Sequence, residues 1–174
     1  MTNTELLELD EKSREKENKN RIDDLLSEEG IVQIVSFSLL NDVEYGVDIL
    51  SIHEILKIPA VTRLPNVPSF IKGVLNLRGK VIPVINVRAR FGLPESPATE
   101  DSRIIVVEVG DKLIGLLVDE VYHVIRISKK NIEKPSELIE GVSDDFIQGV
   151  GRLKDGLVVI LKLRNMLFPV ENEL

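Results

Sequence analysis

Cysteine and tryptophan are both absent from this chain of 174 residues, and each absence removes a class of function. Without cysteine there is no disulfide, no thiolate nucleophile and no cysteine-bound metal. The aromatic side chains are only two tyrosines and five phenylalanines, so few rings can stack on nucleic-acid bases. The formal net charge of −7 also disfavours a nucleic-acid partner, because phosphate groups are neutralised by Lys and Arg.

Long apolar runs are missing as well. No uninterrupted stretch approaches the roughly 20 apolar residues that a membrane-spanning helix needs. Residues 1–5 lack both the basic start and the apolar run of a secretory signal, so we expect a cytoplasmic protein. The sequence is rich instead in Ile, Val and Leu, within a hydrophobic content of 43%. Such β-branched residues favour short buried strands.

A degenerate internal repeat is the most informative positive feature. Residues 46–58 are echoed by residues 115–127 at an offset of 69 (115 minus 46), with nearly every apolar position recurring. Residues 71–78 are echoed by residues 147–154 at an offset of 76. Two related units predict two similar folding modules. An arrangement with two faces and a groove between them favours the holding of partners over catalysis.

Changes in composition divide the chain into a tail and two units. Residues 1–30 contain ten acidic and five basic residues and no continuous apolar helix face. We therefore predict a mobile, charged N-terminal tail with at most a helical turn at residues 21–26. Residues 31–93 form the first unit, residues 94–102 a linker with two prolines, and residues 103–174 the second unit. The final strand could stay in its own unit or cross to the other.

Each unit contains four to five short apolar segments separated by turn residues, a pattern typical of strands. Residues 49–56 fit a helix or a strand by period, and we favour a strand with a turn at Leu50-Ser51. Residues 69–75 follow Pro68 and predict a short helix. A small sheet must hide its edges, and closure into a barrel does so. The prediction is a mainly β protein with two barrels packed side by side and short helical turns.

The sequence offers no catalytic or cofactor motif that we can identify. His53 and His123 have no second His or Cys at metal-ligand spacing. Asp119 and Glu120 would point to opposite faces of a strand, so we expect a solvated turn or edge rather than a catalytic pair. We predict no catalytic residue, no metal and no cofactor. The alternatives are a small enzyme that uses Asp119 with a histidine, and a nucleic-acid-binding β-barrel.

Two polar positions stand out as candidates for partner binding. Arg78 lies in a turn before Gly79, and the planar guanidinium fork suits carboxylates at interfaces; the alternative is a solvated turn arginine. Strict alternation places Glu54 on the same face as Ile52, which would make a mixed apolar and charged patch typical of an interface. In the alternative interpretation Ile52 belongs to the core.

The segment at residues 70–92, FIKGVLNLRGKVIPVINVRARFG, resembles the signature block of the bacterial chemotaxis coupling family, CheW. Residues 44–49 and 115–121 fit the same family, and the resemblance runs over about residues 32–167. It implies two SH3-like five-stranded β-barrels that together make one CheW-like domain over residues 31–170.

The resemblance also implies a function. Members of this family are non-catalytic chemotaxis adaptors that couple methyl-accepting chemoreceptors to the histidine kinase CheA within signalling arrays. The expected partners are the regulatory domain of that kinase and the cytoplasmic tips of the receptors, which would recruit the protein to the inner face of the membrane. The partner-binding positions implied by the resemblance are Arg78, Ile52, Glu54, Gly73, Asn76, Val121 and Val124.

Overall fold

The structure, a computed structural model, describes residues 3–26, 30–39, 42–135 and 142–168, with the backbone alone for residues 18–26. In chain order the helices are α1 (Asn3–Leu26), α2 (Val87–Arg90) and α3 (Arg164–Leu167). The strands are β1 (Ile31–Ser38), β2 (Glu44–Asp48), β3 (Ile52–Lys57), β4 (Ile71–Leu77), β5 (Lys80–Asn86), β6 (Arg103–Val109), β7 (Lys112–Val118), β8 (Glu120–Ser128), β9 (Ile132–Glu133), β10 (Ile147–Leu153) and β11 (Gly156–Leu161).

The N-terminal segment is helical, where the sequence predicts a tail with at most one helical turn. Helix α1 runs for 24 residues, and every described side chain on it, from residue 3 to residue 17, is exposed. The prediction required an apolar face, but Glu, Lys, Arg and Leu favour helix by local propensity alone. Asp10 and Arg14 add an ion pair of 3.1 Å one turn apart.

The strands form two sheets, as the mainly β prediction requires. The first has the order β8-β1-β2-β11-β10-β9 and the second the order β3-β6-β7-β5-β4. Strand β9 contributes only two residues at one edge, so each sheet has five principal strands. Neighbouring strands are antiparallel except for β2 with β11 and β5 with β7. The predicted fold of two five-stranded barrels is confirmed, and we call these sheets the first and second barrel.

The two barrels do not correspond to the two sequence repeats. Residues 31–93, the first repeat, supply β1 to β5, and the second repeat supplies β6 to β11. The first barrel combines β1 and β2 with β8 to β11, and the second combines β6 and β7 with β3 to β5. The predicted boundary at residues 94–102 therefore separates the repeats and not the barrels, which corrects the predicted division. The last strand of each repeat pairs with the other repeat, since β5 runs parallel to β7 and β11 runs parallel to β2.

The largest hydrophobic core lies between the barrels. Phe37 and Tyr45 of the first barrel meet Ile105 and Leu116 of the second in this core, which we call the inter-barrel core. Each barrel also encloses a smaller core of its own. The buried residues of these smaller cores are Ile34, Ile127 and Ile160 in the first barrel, and Leu75, Ile82, Val84, Ile104, Val106 and Leu117 in the second.

Arg90 on α2 connects this helix to α3 beside the inter-barrel core. Its guanidinium lies 4.1 Å from the ring centre of Phe70 and 4.7 Å from that of Phe146. The same group donates hydrogen bonds of 2.8 Å to the carbonyl of Met166 and 3.0 Å to that of Phe168. These carbonyls end α3 and have no partner within the helix. One arginine therefore links a helix of the first repeat to a helix of the second.

Residues 71–75 belong to strand β4 and residues 69–70 to the turn before it, so the predicted short helix does not form. Ile71 N donates to the carbonyl of Pro68 at 3.0 Å, so the proline begins a tight turn instead of a helix. Pairing of β4 with β5 then fixes the extended conformation. Residues 49–51 form a 3₁₀ turn before β3, which confirms the strand-with-turn interpretation of residues 49–56.

Candidate partner-binding site

The β4–β5 hairpin presents Arg78 at its tip. Leu77 pairs with Lys80, so Arg78 and Gly79 form a two-residue loop. Both have positive φ, 50° and 86°, as a type I′ turn requires. The Asn76 side-chain oxygen accepts a hydrogen bond of 2.9 Å from Gly79 N and fixes this turn. Two of the predicted residues, Asn76 and Arg78, are therefore parts of one local structure.

Arg78 and Glu54 form a two-pronged ion pair. The Arg78 Nη1 and Nη2 atoms donate to Glu54 Oε1 and Oε2 at 3.1 and 3.0 Å. The arginine side chain is 72% exposed and the carboxylate 21%. Strands β3 and β4 are the two edges of the second sheet, so the pair joins these edges where the barrel closes. Solvent screening limits such a pair to about 1 kcal/mol of stability, but it holds the guanidinium in one orientation on the surface.

Ile52 and Glu54 lie on opposite faces of β3, in contrast to the predicted shared face. Ile52 pairs with Val107 and Glu54 with Val106, so His53 is an extra residue in the strand. Such a β-bulge breaks the simple alternation of side chains. Val107 belongs to the inter-barrel core and Val106 to the core of the second barrel. Because cross-strand partners share a face, Ile52 faces the inter-barrel core, and the predicted mixed patch does not form.

Val121 and Val124 lie on β8 in the first barrel, away from the strands that carry Arg78. Val121 pairs with Phe37 and packs against the inter-barrel core. Val124 pairs with Val35 and is 50% exposed. A second bulge, between these pairs, places both valines on one face of the sheet. Val121 is the repeat equivalent of Ile52, and both pack against the inter-barrel core.

Gly73 has a packing role in the structure. Its φ is +151°, and an added Cβ would lie 2.1 Å from the carbonyl oxygen of Thr62. Thr62 N and Val74 N each donate to the other residue's carbonyl at 2.8 Å, so the chain at residue 62 lies directly against β4. Gly73 is buried and allows this close approach. Any effect of Gly73 on partner binding would act through the shape of β4.

Sequence reasoning missed a buried ion pair at Asp119. The side chain of Asp119 is 10% exposed and that of Arg88 13% exposed, with 3.1 Å between Oδ2 and Nη1. Arg88 also donates to the carbonyls of Leu39 and Pro94. The predicted solvated turn at Asp119 is therefore wrong. An acidic residue directly after the apolar segment of residues 114–118 was the available signal, because a buried carboxylate needs a cation.

Histidine and acidic side chains are the usual catalytic and metal-binding groups that this cysteine-free chain contains. Within the described ranges, no group of three or more His, Asp or Glu residues is placed to hold a metal ion. Asp119 is engaged by Arg88, whereas His123 is 63% exposed and lies near Glu44. The enzyme alternative required Asp119 to act with a histidine, and this geometry does not support it. No helix in the described part of the chain is long and apolar enough to cross a membrane.

Large apolar side chains are exposed on the strands that bear the candidate residues. Ile55 on β3 is 41% exposed and Val124, its repeat equivalent on β8, is 50% exposed. Two surface grooves of about 670 and 630 Å³ lie beside the barrels. Exposed apolar side chains next to orientated charged groups are typical of protein interfaces. The fold and this surface define a β-domain of the partner-binding class.

Comparison with known proteins gives the family. The profile of the CheW-like domain matches residues 33–168, and the chain belongs to this family. It is 35% identical to the chemotaxis protein CheW of Helicobacter pylori over 139 residues, which are 80% of this chain and 83% of that protein. It is also 35% identical to the chemotaxis protein CheW of Bacillus subtilis over 123 residues, 71% of this chain and 79% of that protein.

A solved structure extends the similarity to three dimensions. The crystal structure of the scaffolding protein TtCheW from Thermoanaerobacter tengcongensis has a TM-score of 0.75 and 40% sequence identity to this chain. The alignment covers 80% of this chain and 94% of that one. The resemblance inferred from the sequence is therefore confirmed at the level of family and fold.

Proposed function

We propose that this protein is a non-catalytic chemotaxis adaptor that couples methyl-accepting chemoreceptors to the histidine kinase CheA within signalling arrays. The observation that carries the proposal is membership of the CheW-like family over residues 33–168, which include both repeats. Relatives named as chemotaxis proteins and a neighbour named as a scaffolding protein support the assignment. The partners proposed are the kinase regulatory domain and the cytoplasmic receptor tips, so the protein would act in the cytoplasm beneath the membrane.

Six of the seven candidate residues, all but Gly73, suggest two separate contact regions. The first is the end of the second barrel, where Arg78 is held by Glu54 and Asn76. The second is the side of the inter-barrel core, where Ile52 and Val121 are half-buried and Val124 is exposed. We assign the barrel end to the kinase regulatory domain. The side of the inter-barrel core, with the exposed Val124, would take the tip of a receptor helical hairpin.

This division explains how an adaptor without catalysis transmits a signal. A receptor can shift the kinase between states only if its contacts through the adaptor differ in free energy between those states. A contact of about 800 Å² per partner is the standard size for specific recognition. Two such regions on one rigid fold would hold receptor and kinase at a fixed spacing.

Reversal of charge at Arg78 tests the assignment. Purified Arg78→Glu should lose about tenfold or more in affinity for the kinase regulatory domain, because the fork is lost and a like charge faces Glu54. Titration calorimetry with the kinase domain and with receptor tips, separately and together, measures the effect. The melting temperature should change little, since an exposed pair contributes about 1 kcal/mol or less.

The chain provides a matched control for this experiment. Arg152 is 65% exposed and forms a similar pair with Glu133, with 3.0 Å between Nε and Oε1. Arg152→Glu changes the same charge on the other barrel and should leave kinase affinity within about twofold. Equal binding by wild type and Arg78→Glu would reject the site assignment. A wild-type protein that binds neither partner would reject the proposed function.

A further inference from the structure

The two barrels differ at the ends where their last hairpins turn. In the second barrel the β4–β5 hairpin carries Arg78, whose fork closes on Glu54. The repeat offsets place Lys154 at the position of Arg78 and His123 at the position of Glu54 in the first barrel. Lys154 and Asp155 form the corresponding two-residue loop between Leu153 and Gly156. The first barrel therefore has no arginine and no carboxylate at these two positions.

A carboxylate is present at this end of the first barrel, but it comes from a different strand. Glu44 begins β2, and its repeat equivalent in the second barrel is Leu113, which packs against that barrel's core. Glu44 Oε1 is shielded from solvent, and none of the described residues gives it a hydrogen bond. His123 Nε2 lies 3.7 Å away, which is beyond hydrogen-bond distance. An unsatisfied carboxylate oxygen in this position is costly until a donor reaches it.

The surface around Glu44 is an open groove of about 630 Å³. Val124 and Leu157 line it and are 50% and 43% exposed. Asp42 and Asp155 add two further acidic groups to the lining, against the cation Lys154 and the imidazole of His123. The groove thus combines an excess of negative charge with apolar walls. That combination complements a side chain with an aliphatic stem and a cationic head.

We propose that this groove, the first-barrel groove, binds an arginine side chain presented by a partner protein. The partner's guanidinium displaces the exposed His123 ring, whose Nε2 lies 3.7 Å from Glu44 Oε1. It then gives Glu44 the two-pronged contact that Arg78 gives Glu54 at the end of the second barrel. Its methylene stem lies against Val124 and Leu157. Arginine fits better than lysine because its donors form a planar fork, and Lys154, already in the lining, leaves Glu44 Oε1 without a hydrogen bond. The identification of the partner as receptor tip or kinase rests on the proposed function.

A titration with single amino-acid analogues tests the chemistry without any partner protein. Nα-acetyl-arginine amide is added to the isotope-labelled full chain, and carboxyl and amide resonances are followed by NMR. Saturable shifts should appear at Glu44, His123 and Val124, and Nα-acetyl-lysine amide should bind several-fold more weakly. Glu44→Gln should reduce arginine binding about tenfold, the range expected for loss of a hydrogen bond to a charged group. Glu133→Gln, a neutralised carboxylate elsewhere on the first barrel, should have no effect.

Two outcomes would overturn the proposal. The first is equal binding of the arginine and lysine analogues at these resonances. The second is an arginine response that survives Glu44→Gln. Thermal melts of both glutamine variants establish that they are folded, so that a lost response reports on the site and not on unfolding.

A second variant tests whether an arginine on the protein's own hairpin can take the place of the partner's arginine at Glu44. Lys154→Arg places an arginine on the hairpin position that corresponds to Arg78. It should occupy Glu44 internally, weaken the arginine analogue several-fold, and weaken whichever of the two purified partners uses the groove. Glu44→Gln should weaken that same partner. If the analogue titration succeeds but neither partner is affected by Glu44→Gln, the site stands and the partner assignment fails; if neither partner binds the wild type, the proposed function fails independently.

Discussion

The two barrels, each built from strands of both repeats, agree in their packing and differ at their ends. Gly46 in the first barrel and Gly115 in the second occupy equivalent places, and an added Cβ would lie 2.2 and 2.9 Å from the Cγ2 atom of an isoleucine. Each barrel also has a bulge where the third strand of a repeat pairs with its neighbour. In the first barrel this is β8 with β1, and in the second it is β3 with β6. Interiors tolerate little change in volume. The shared features are therefore those that hold the strands together.

The barrel ends are free of that constraint and have diverged. Arg78 and Glu54 form a fork at one end, whereas Lys154 and His123 occupy the equivalent places at the other. Surface substitutions change stability little, so these positions can be used for recognition. The difference between equivalent positions is therefore a guide to which part of each barrel contacts a partner.

The largest expected effect concerns the division of strands between the repeats. A chain of residues 31–98 alone contains β1 to β5 but lacks the neighbours of β1, β2, β3 and β5 that come from the second repeat. It should be unfolded, with no cooperative thermal transition, because its apolar faces have no partner. Circular dichroism and melting measure this. The full chain, cleaved by a protease within residues 94–100, should instead elute as one folded particle in gel filtration. Separation of the two fragments without denaturant would contradict the pairing of strands between the repeats.

The next effect contrasts two equivalent turn residues. Asp119 is 8% exposed and pairs with Arg88, whereas Leu50, its repeat equivalent, is 87% exposed. Asp119→Ala should destabilise the protein by about 3–5 kcal/mol, because Arg88 becomes an unpaired buried charge. Leu50→Ala should stay within about 0.5 kcal/mol of wild type. Urea unfolding of both variants measures the two changes in unfolding free energy. Equal losses would mean that the Arg88–Asp119 pair does not stabilise the connection between β7 and β8.

A smaller contrast separates two equivalent glycines. An added Cβ at Gly73 would lie 2.1 Å from the backbone oxygen of Thr62, and one at Gly149 would lie 2.7 Å from the Ile132 side chain and a more tolerable 3.1 Å from the backbone oxygen of Glu133. Backbone cannot move aside as a side chain can. Gly73→Ala should therefore cost about 3 kcal/mol and Gly149→Ala about 1–2 kcal/mol in unfolding free energy. A larger loss of stability for Gly149→Ala than for Gly73→Ala in thermal melts would show that strands β4 and β10 are not packed as described.

Local patterns in the sequence were sufficient to predict the mainly β class, the repeat and most strands. For example, the apolar residues at 103–109 predict a strand, and the turn residues at 110–112 predict a hairpin. The structure confirms both. The exchange of strands between the repeats was not predictable in this way. It depends on pairings such as Tyr45 with Val159, which are far apart in sequence and leave no local signal.

The candidate site was predicted in part for the same reason. The turn predicted from Gly79 correctly placed Arg78 at an exposed tip, because turn chemistry is a local property, whereas the hydrogen bond from Gly79 N to Asn76 was found only in the structure. The face of Ile52 relative to Glu54 was predicted wrongly, because the inserted His53 shifts the register against β6. Period alone cannot reveal a bulge. The unsatisfied Glu44 could be found only once β2, β8 and β11 had been brought together.

The exchange of strands has a mechanical consequence. Two modules joined by a short linker could swing about that linker and absorb a displacement at one end. Here the chain passes between the barrels twice, at residues 49–51 and at Asp119, and the inter-barrel core lies between them, so a swing would strain both connections and open that core. The molecule is consequently a stiff spacer, and a push delivered to one barrel moves the other by nearly the same distance.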